Sequence, residues 1–310
     1  MQVFTKFEIP EHARGASVAM GNFDGVHLGH QSVIDLARGR NAPLGIISFE
    51  PHPRSFFSPD SPPFRLMNQA AKAHQLGKLD VEYLFDLPFD NTLSNLTAEE
   101  FVRVILAKNL GVTHVVVGAD FQFGKGREGN AKMLSALCKD HNIGVTIAPL
   151  VSGDNGPYSS SAIRASLAAG QPDEAAKMLG HWHRIDGVVE KGDQRGRELG
   201  FPTANISVSG LHLPRFGVYA VFFDVLDGPH KGRYLGASSL GERPTFGRNL
   251  PNLEVHVLDF NGDLYGASVS VALVKFQRPE LKFDGLEPLI IQMKQDCVQS
   301  RALLQAAQNA

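Results

Sequence analysis

The spacing of apolar residues changes character once along this chain, near residue 182. Before that point, short apolar runs alternate with segments whose apolar residues recur every three or four positions. The runs cover 16–20, 44–49, 81–87, 114–117 and 145–150, and helical patterns fall at 69–76, from Thr97 onward, at 131–138 and at 171–179. Thr97 with Glu100 three residues on is a capping box, and Phe101, Val104 and Ile105 give that helix its apolar face. Strands alternating with helices predict a parallel sheet covered on both faces. After 185 strand patterns dominate, at 185–189, 218–225, 234–238, 254–260 and 268–276, and helical periodicity returns only over 286–304. Short strands separated by turn residues predict a small antiparallel barrel with one appended helix. The chain therefore reads as α/β with two domains, 1–182 and 183–310, joined at His181-Trp182-His183, and 310 residues suit two cores better than one.

Ligands of parallel sheets collect at the carboxyl ends of the strands. Four glycine-rich or polar clusters of the first half fall there, at 21–30, 50–54, 118–129 and 159–164. The first reads Gly21-Asn22-Phe23-Asp24-Gly25-Val26-His27-Leu28-Gly29-His30-Gln31 and opens a helix carrying Val33, Ile34, Leu36 and Ala37. A strand-to-helix turn aims backbone N–H groups and the positive end of the helix dipole at anions, phosphate above all. Gly21, Gly25 and Gly29 would let a phosphate come close to the backbone. His27 and His30, three apart, can face one ligand and donate to phosphate oxygens. Set in a polar turn, they are expected to serve the ligand and leave the melting temperature almost unchanged when replaced.

The cluster at 159–164 has Ser159, Ser160 and Ser161 to cap a helix, and Arg164 adds a planar donor fork suited to phosphate. Within 118–129, Gly124-x-Gly126-x-x-Gly129 matches the dinucleotide fingerprint, but it lies late in the sheet and 121–123 separate it from the turn, so the match is fortuitous. Lys125 lacks the following Ser or Thr of a P-loop. The second half carries one dense run, from Gly192 through Gly196 and Gly200 to Phe201-Pro202-Thr203-Ala204-Asn205. Glycines spaced by four suit a loop that wraps phosphates with backbone donors. Thr203 and Asn205 offer neutral oxygens to Mg²⁺, a hard cation that shares its ligands with phosphate.

Residues 21–31 resemble the ATP-binding signature of the nucleotidylyltransferase superfamily. In full length they are similar to the N-terminal half of bacterial bifunctional FAD synthetases (riboflavin kinase/FMN adenylyltransferase). Phe49-Glu50-Pro51-His52-Pro53 and 118–125 resemble further segments of that family. Its S-S-T-x-I-R pattern has Ser161 in place of Thr, with Pro157 and Tyr158 where a basic residue is usual. The run 192–205 is similar to the riboflavin kinase signature, with Lys191 where many members have His, and 241–245 and 278–283 continue the likeness. The resemblance covers essentially the whole chain. It implies a Rossmann-like nucleotidylyltransferase domain followed by a riboflavin kinase barrel. It implies ATP binding in the first by Gly21, Asn22, Phe23, Asp24, His27, His30, Ser160, Ser161 and Arg164, with His27, His30 and Arg164 acting in catalysis. Asp120, Phe121 and Phe123 would line the flavin and nucleotide pocket. Gly192, Gly196, Gly200, Pro202, Thr203 and Asn205 would bind the kinase's ATP, Thr203 and Asn205 with Mg²⁺, and Glu254 holds the position of the catalytic carboxylate. The implied activity phosphorylates riboflavin to FMN and then adenylylates FMN to FAD with a second ATP, releasing pyrophosphate.

A net charge of −2 gives no global basic field for nucleic acid, and no apolar run reaches the length of a membrane span. Residues 1–15 lack the apolar core of a signal peptide, so a cytoplasmic enzyme is expected. Cys138 and Cys297 lie in different halves and are expected as thiols. The expected partners are small molecules, ATP, riboflavin and FMN, with neither nucleic acid nor membrane. One alternative keeps the nucleotidylyltransferase with a different acceptor. Another makes the barrel a ligand- or nucleic-acid-binding module, against which stand the absence of an aromatic-basic stripe and the presence of a magnesium-and-phosphate signature.

Overall fold

The structure, a computed structural model, describes residues 1–153, 156–192, 196, 199–245 and 248–309, with the backbone alone at 243–245 and 248–250. It divides into two compact units, one of 1–62 with 72–158, the other of 63–71 with 159–310. Among the described residues no helix is long and apolar enough to cross a membrane.

The first unit is built on strands β1 (Gln2–Phe4), β2 (Ser17–Met20), β3 (Leu44–Glu50), β4 (Tyr83–Pro88) and β5 (His114–Gly118). The hairpin β6 (Gln122–Phe123) and β7 (Gly129–Asn130) precedes the last sheet strand, β8 (Gly144–Ala148). The sheet order is β1-β4-β3-β2-β5-β8, and every pairing is parallel. β2 is buried along its whole length, as expected of a strand covered on both faces. The chain runs outward from β2 through β3 to β4, then returns to place β5 on the other side of β2. The strand order therefore reverses beside β2, where sheets of this kind bind ligands. The turn 21–27 leaves β2 at that point and feeds helix α1 (Leu28–Ala37). Thr97 and Glu100 make the reciprocal capping box read from the sequence. Past Phe101 the helix widens to π geometry through Asn109, so burial falls on Phe101, Val102, Ile105 and Leu106 rather than on the expected face alone. The edge strand β1 has no sequence signal. A short hairpin, β9 (Ser152–Gly153) with β10 (Gly156–Pro157), closes the unit.

The second unit holds an antiparallel sheet of β11 (His183–Val188), β12 (Ala204–Ser207), β13 (Gly217–Val225), β14 (Gly232–Thr245), β15 (Arg248–Val257) and β16 (Ser268–Arg278), in the order β11-β16-β13-β14-β15-β12. An isolated bridge between Glu190 and Asn205 brings its ends together, with Glu190 N donating to Asn205 O at 2.9 Å, so the sheet is a near-closed barrel. Inward residues such as Ile185, Ile206, Tyr219, Val221, Leu253, Val255 and Val271 fill it. The outer face of β13 and β16, with Ala220, Phe222, Ala272 and Val274, packs against Leu303, Leu304 and Ala307 of the C-terminal helix Leu286–Gln308. His183, read as linker, instead opens β11 and is buried, because β16 pairs with it from Leu273 onward. β12 begins within the last two residues of the run read as a loop and continues through Ile206 and Ser207. The segment 241–245 is the end of β14, paired with β15. Two helices, Ser160–Ala168 and Pro172–Leu179, also belong to this unit, where Ile163, Leu167, Ala175 and Leu179 pack with Leu66.

Candidate functional site

In the turn after β2, Phe23 and Val26 adopt positive φ, 50° and 45°, and Gly25 stands at 91°. Positive φ in a bulky or β-branched residue is strained, and such strain persists only where packing over-determines it. Here it does: Phe23 and Val26 are almost wholly buried. Asn22 is exposed, while Asp24 and His27 are buried. His27 is the N-cap of α1, its Nδ1 accepting from His30 N–H at 3.2 Å. A neutral imidazole that accepts at Nδ1 carries its proton on Nε2, which is thus a donor. Burial pushes the pKa of His27 down to about 4, and burial together with His27 lowers that of His30, so both rings are neutral at pH 7. Neutrality also permits their close stack, with centroids 3.6 Å apart and planes inclined by 18°. Phe23 flanks His30 at 5.2 Å. His30 Nδ1 is buried with no hydrogen-bond partner among the described residues, a polar atom that a ligand would satisfy.

The polar-turn expectation for these histidines is corrected: His27 is a buried helix cap. Gly29 is corrected too. The direction of its missing side chain is filled by the His27 ring, since a Cβ there would lie 3.1 Å from Nδ1 and 3.2 Å from Cε1. The glycine makes room for imidazole. Gly21 has ordinary space against Phe23.

Beyond β5, Asp120 is exposed and Phe121 half-buried, while Phe123 is buried and stacks with Phe121 at 5.8 Å. The fortuitous fingerprint has its own physical basis. Gly124, at φ 75°, lies against the backbone of Ala98, and a Cβ at Gly129 would enter the Phe123 ring. From Phe123 aromatic contacts continue to Phe101 at 5.6 Å, to Phe49 at 6.5 Å, to Phe89 at 6.0 Å, and on to Phe56 and Phe57. Phe57 is 65% exposed. Phe49 and Phe89 stand at the carboxyl ends of β3 and β4, so this wall shares the ligand end of the sheet. Sequence reasoning missed Phe49, Phe56, Phe57 and Phe89 as site residues. The available signal was aromatic residues at or just beyond strand ends.

Ser160, Ser161 and Arg164 lie in the second compact unit. Ser159 caps their helix, its Oγ accepting from Ala162 N–H. Arg164 donates to Phe64 O at 3.2 Å and to Ser161 Oγ at 3.4 Å, with its guanidinium 5.6 Å above the Phe64 ring.

In the barrel, Glu254 sits on β15 directly opposite Asn205 of β12 on one side and Ser239 of β14 on the other. Residues opposed across strands share a face, so these three form one row. Glu254, Ser239 and Thr203 line a cavity of about 280 Å³ together with apolar side chains such as Val218, Phe283 and Met293 and with the polar His256 and Glu280. Arg278 and Asp296, also in its wall, form a forked ion pair at 2.9 and 2.6 Å, and Gln292 donates to the same carboxylate. That pair ties the end of β16 to the C-terminal helix. His256 bonds Pro202 O at 2.9 Å and packs edge-on to Phe201, fixing the end of the signature run against β15. Asn205 is buried, with Oδ1 accepting from Asn252 at 3.0 Å. The Asn205 amide oxygen, the Thr203 hydroxyl and the Glu254 carboxylate are all hard oxygens, the donor chemistry Mg²⁺ requires. Gly196 accepts Phe201 N–H on its carbonyl, and a Cβ there would strike Phe201 O; Gly200 stands at φ 84°. Gly192 is half-buried. Within the signature run, residues 193–195 and 197–198 lie outside the described residues, as does Phe246. Cys297 lines the cavity, but burial followed by the Asp296 charge pushes its thiol up to about 11, so it is no nucleophile at neutral pH.

A parallel-sheet unit with neutral histidines at its switch point, joined in one chain to a barrel with a carboxylate beside hard oxygen donors, defines an enzyme that handles nucleotide phosphates. The sequence profile of FAD synthetase matches residues 9–162, and that of riboflavin kinase matches 179–304. A bifunctional riboflavin kinase/FMN adenylyltransferase of Pseudomonas fluorescens is 40% identical over 299 residues, covering 95% of this chain and 94% of that one. The protein of the same description from Escherichia coli K12 is 37% identical, covering 93% and 92%. A solved Streptococcus pneumoniae structure, described as a macrolide-efflux protein, superposes with a TM-score of 0.81 at 30% identity over 96% of this chain and 99% of its own. The chain belongs to the family of bifunctional riboflavin kinases/FMN adenylyltransferases.

Proposed function

We infer that the two halves carry out successive reactions on one flavin. The chain phosphorylates riboflavin to FMN with ATP and adenylylates FMN to FAD with a second ATP, releasing pyrophosphate. The observation that carries this reading is the row Asn205–Glu254–Ser239, of which Glu254 and Ser239 line a cavity that combines polar groups with apolar side chains. A flat apolar ring system suits the apolar side chains, a polyhydroxyl chain the polar groups.

Glu254 would take the proton of the terminal ribityl hydroxyl as its oxygen attacks the γ-phosphorus, and ADP leaves. Gly192, Gly196, Gly200 and Pro202 shape the phosphate loop, and Thr203 and Asn205 would hold Mg²⁺. When bound, the ion neutralises charge on the nucleotide phosphates. In adenylyl transfer a phosphate oxygen of FMN attacks the α-phosphorus of ATP and pyrophosphate departs. The ionised phosphate is already nucleophilic, so no general base is required. The Nε2–H of His27 and the His30 ring donate to phosphate oxygens as charge develops. Gly21, Asn22, Phe23 and Asp24 shape the ATP turn, and Ser160, Ser161 and Arg164 have a phosphate-binding role on the strength of the family motif. Phe121 and Phe123, extended by Phe49, Phe56, Phe57 and Phe89, give the isoalloxazine ring an aromatic wall, and Asp120 belongs to the same pocket on the strength of the family motif.

We set the functional boundary at Trp182, with 1–182 for adenylyl transfer and 183–310 for the kinase. The enzyme is read as cytoplasmic, acting on small molecules without nucleic acid or membrane. The test is chromatographic. Purified protein with riboflavin and ATP·Mg²⁺ should yield FMN and then FAD, and with FMN should yield FAD directly. FMN recovered unchanged while another compound is adenylylated and pyrophosphate released would point to a different adenylyl acceptor.

A further inference from the structure

Arg164 is proposed for adenylyl transfer, yet its helix packs within the second compact unit. Two contacts on that helix come from the loop 211–216, in the stretch that the riboflavin kinase profile matches. His212 Nε2 bonds the Arg164 carbonyl at 3.0 Å, and three residues on, Arg215 N–H donates to Leu167 O at 2.9 Å. The loop thus runs beside the helix and engages carbonyls one turn apart. The other side of His212 is held as well. Its backbone N–H donates to Arg65 O at 2.8 Å, and Leu211 bridges Arg65 in parallel. Arg65 follows Phe64, whose carbonyl and ring are partners of the Arg164 guanidinium. The contacts close a circuit: guanidinium to Phe64, Arg65 to the His212 backbone, His212 ring to the Arg164 carbonyl. Both ends of Arg164 are fixed by it. A carbonyl accepts only, so His212 must carry its proton on Nε2. Burial, with the Arg164 charge, holds its pKa below the usual value, which keeps the ring neutral.

We propose that His212 is a positioning residue for adenylyl transfer: from the kinase half of the chain it sets the direction in which Arg164 presents its guanidinium to the ATP phosphates. The inference rests on the phosphate-binding role proposed for Arg164. A side chain at 212 thereby acts on FAD formation and not on the kinase reaction, because it lies outside the row and cavity around Glu254.

Three variants of the full chain test it, each assayed for riboflavin phosphorylation and, separately, for FAD formation from supplied FMN. Arg164→Ala should lower FAD formation by about a hundredfold. His212→Leu keeps volume but loses the donor, and should raise the KM for ATP in FAD formation by about tenfold, leaving FMN formation within about twofold. His212→Gln, whose amide can still donate, should restore that KM. A normal KM for ATP in His212→Leu beside an impaired Arg164→Ala overturns the positioning role alone. Undiminished FAD formation in Arg164→Ala overturns the reading beneath it. Parallel loss of both activities in His212→Leu, with a lower melting temperature, makes the residue merely structural and overturns the proposal. If the leucine variant does not fold, His212→Asn, polar but short of the carbonyl, is judged by the same outcomes.

Discussion

The two reactive regions are built in opposite ways. The turn after β2 reaches its histidines through strained backbone at Phe23 and Val26, and the histidine side chains themselves hold the local structure: His27 caps α1 and stacks on His30. Glu254 sits in an ordinary antiparallel ladder, in a row apart from the inward residues Leu253 and Val255 that fill the barrel. A regular strand separates its two faces by one residue step. Function and stability can therefore be altered independently at Glu254, whereas in the turn they share atoms.

The largest effect is expected where the separation is cleanest. Glu254→Gln keeps size and reach but cannot take a proton, and should slow FMN formation by about 10²–10⁴-fold. Its melting temperature should stay near that of the parent, and FAD formation from FMN should be untouched. A marked fall in melting temperature would mean that the row bears on barrel stability and that the contrast with the turn is overstated. His27→Ala should slow FAD formation by about a hundredfold. Here stability should fall as well, by about 1 kcal/mol, because a helix cap is lost. Denaturant titration checks the second half of that statement. Unchanged stability would mean that His27 serves only the ligand.

Both units should weaken in acid through buried histidines. His183 has its pKa pushed down to about 3 by burial, then by His181 and His212, and His27 to about 4 by burial. A folded-state pKa below the unfolded value of about 6.5 means the unfolded chain binds protons first as pH falls. The stabilising contribution is complete above pH 6.5 and is lost as pH falls from there toward 3 or 4. For His183 the loss at pH 5 is about 2 kcal/mol. Calorimetric melts at pH 7.5 and pH 5 should differ less in His183→Gln than in the parent. An identical pH drop in the two proteins would remove His183 as the titrating group.

The same architectural contrast explains what is legible in the amino-acid order. Glycines and polar residues recur at fixed spacing in 21–31 and 192–205, so both stand out from their residues alone. The capping box at Thr97 is legible because its chemistry is local. Glu254 has no local signal; a carboxylate on a strand looks like any solvated residue until Asn205 and Ser239 are brought beside it by pairing. β12 is hidden at the end of a motif because only its partner β15 makes four residues a strand. The aromatic wall escapes a local reading because Phe49, Phe56, Phe89 and Phe123 come from separate segments. The burial of His183 depends on β16, which pairs with it from far along the chain. The π winding of 101–109 likewise has no local pattern in the sequence.

The smallest expected effect, at Gly29, separates the two roles of the turn most finely. Gly29 lies in the first turn of α1, where alanine would ordinarily gain up to about 1 kcal/mol of helix propensity. The added methyl would sit 3.1 Å from His27 Nδ1 and 3.5 Å from Tyr158 O, closer to the ring than a comfortable contact. The ring can yield only by lengthening its bond to His30 N–H, now 3.2 Å, or by sliding across the stack. Propensity and crowding oppose each other, so the net change in stability from Gly29→Ala should stay within about 0.5 kcal/mol. Catalysis has no such offset. A donor displaced by a few tenths of an ångström loses part of its alignment with the phosphate, where a shift of about 1 Å can cost about a hundredfold. FAD formation should fall by about threefold to tenfold, with riboflavin phosphorylation unchanged. A Gly29→Ala enzyme with full FAD formation would show slack around His27, and the glycine would then need another explanation than room for the ring.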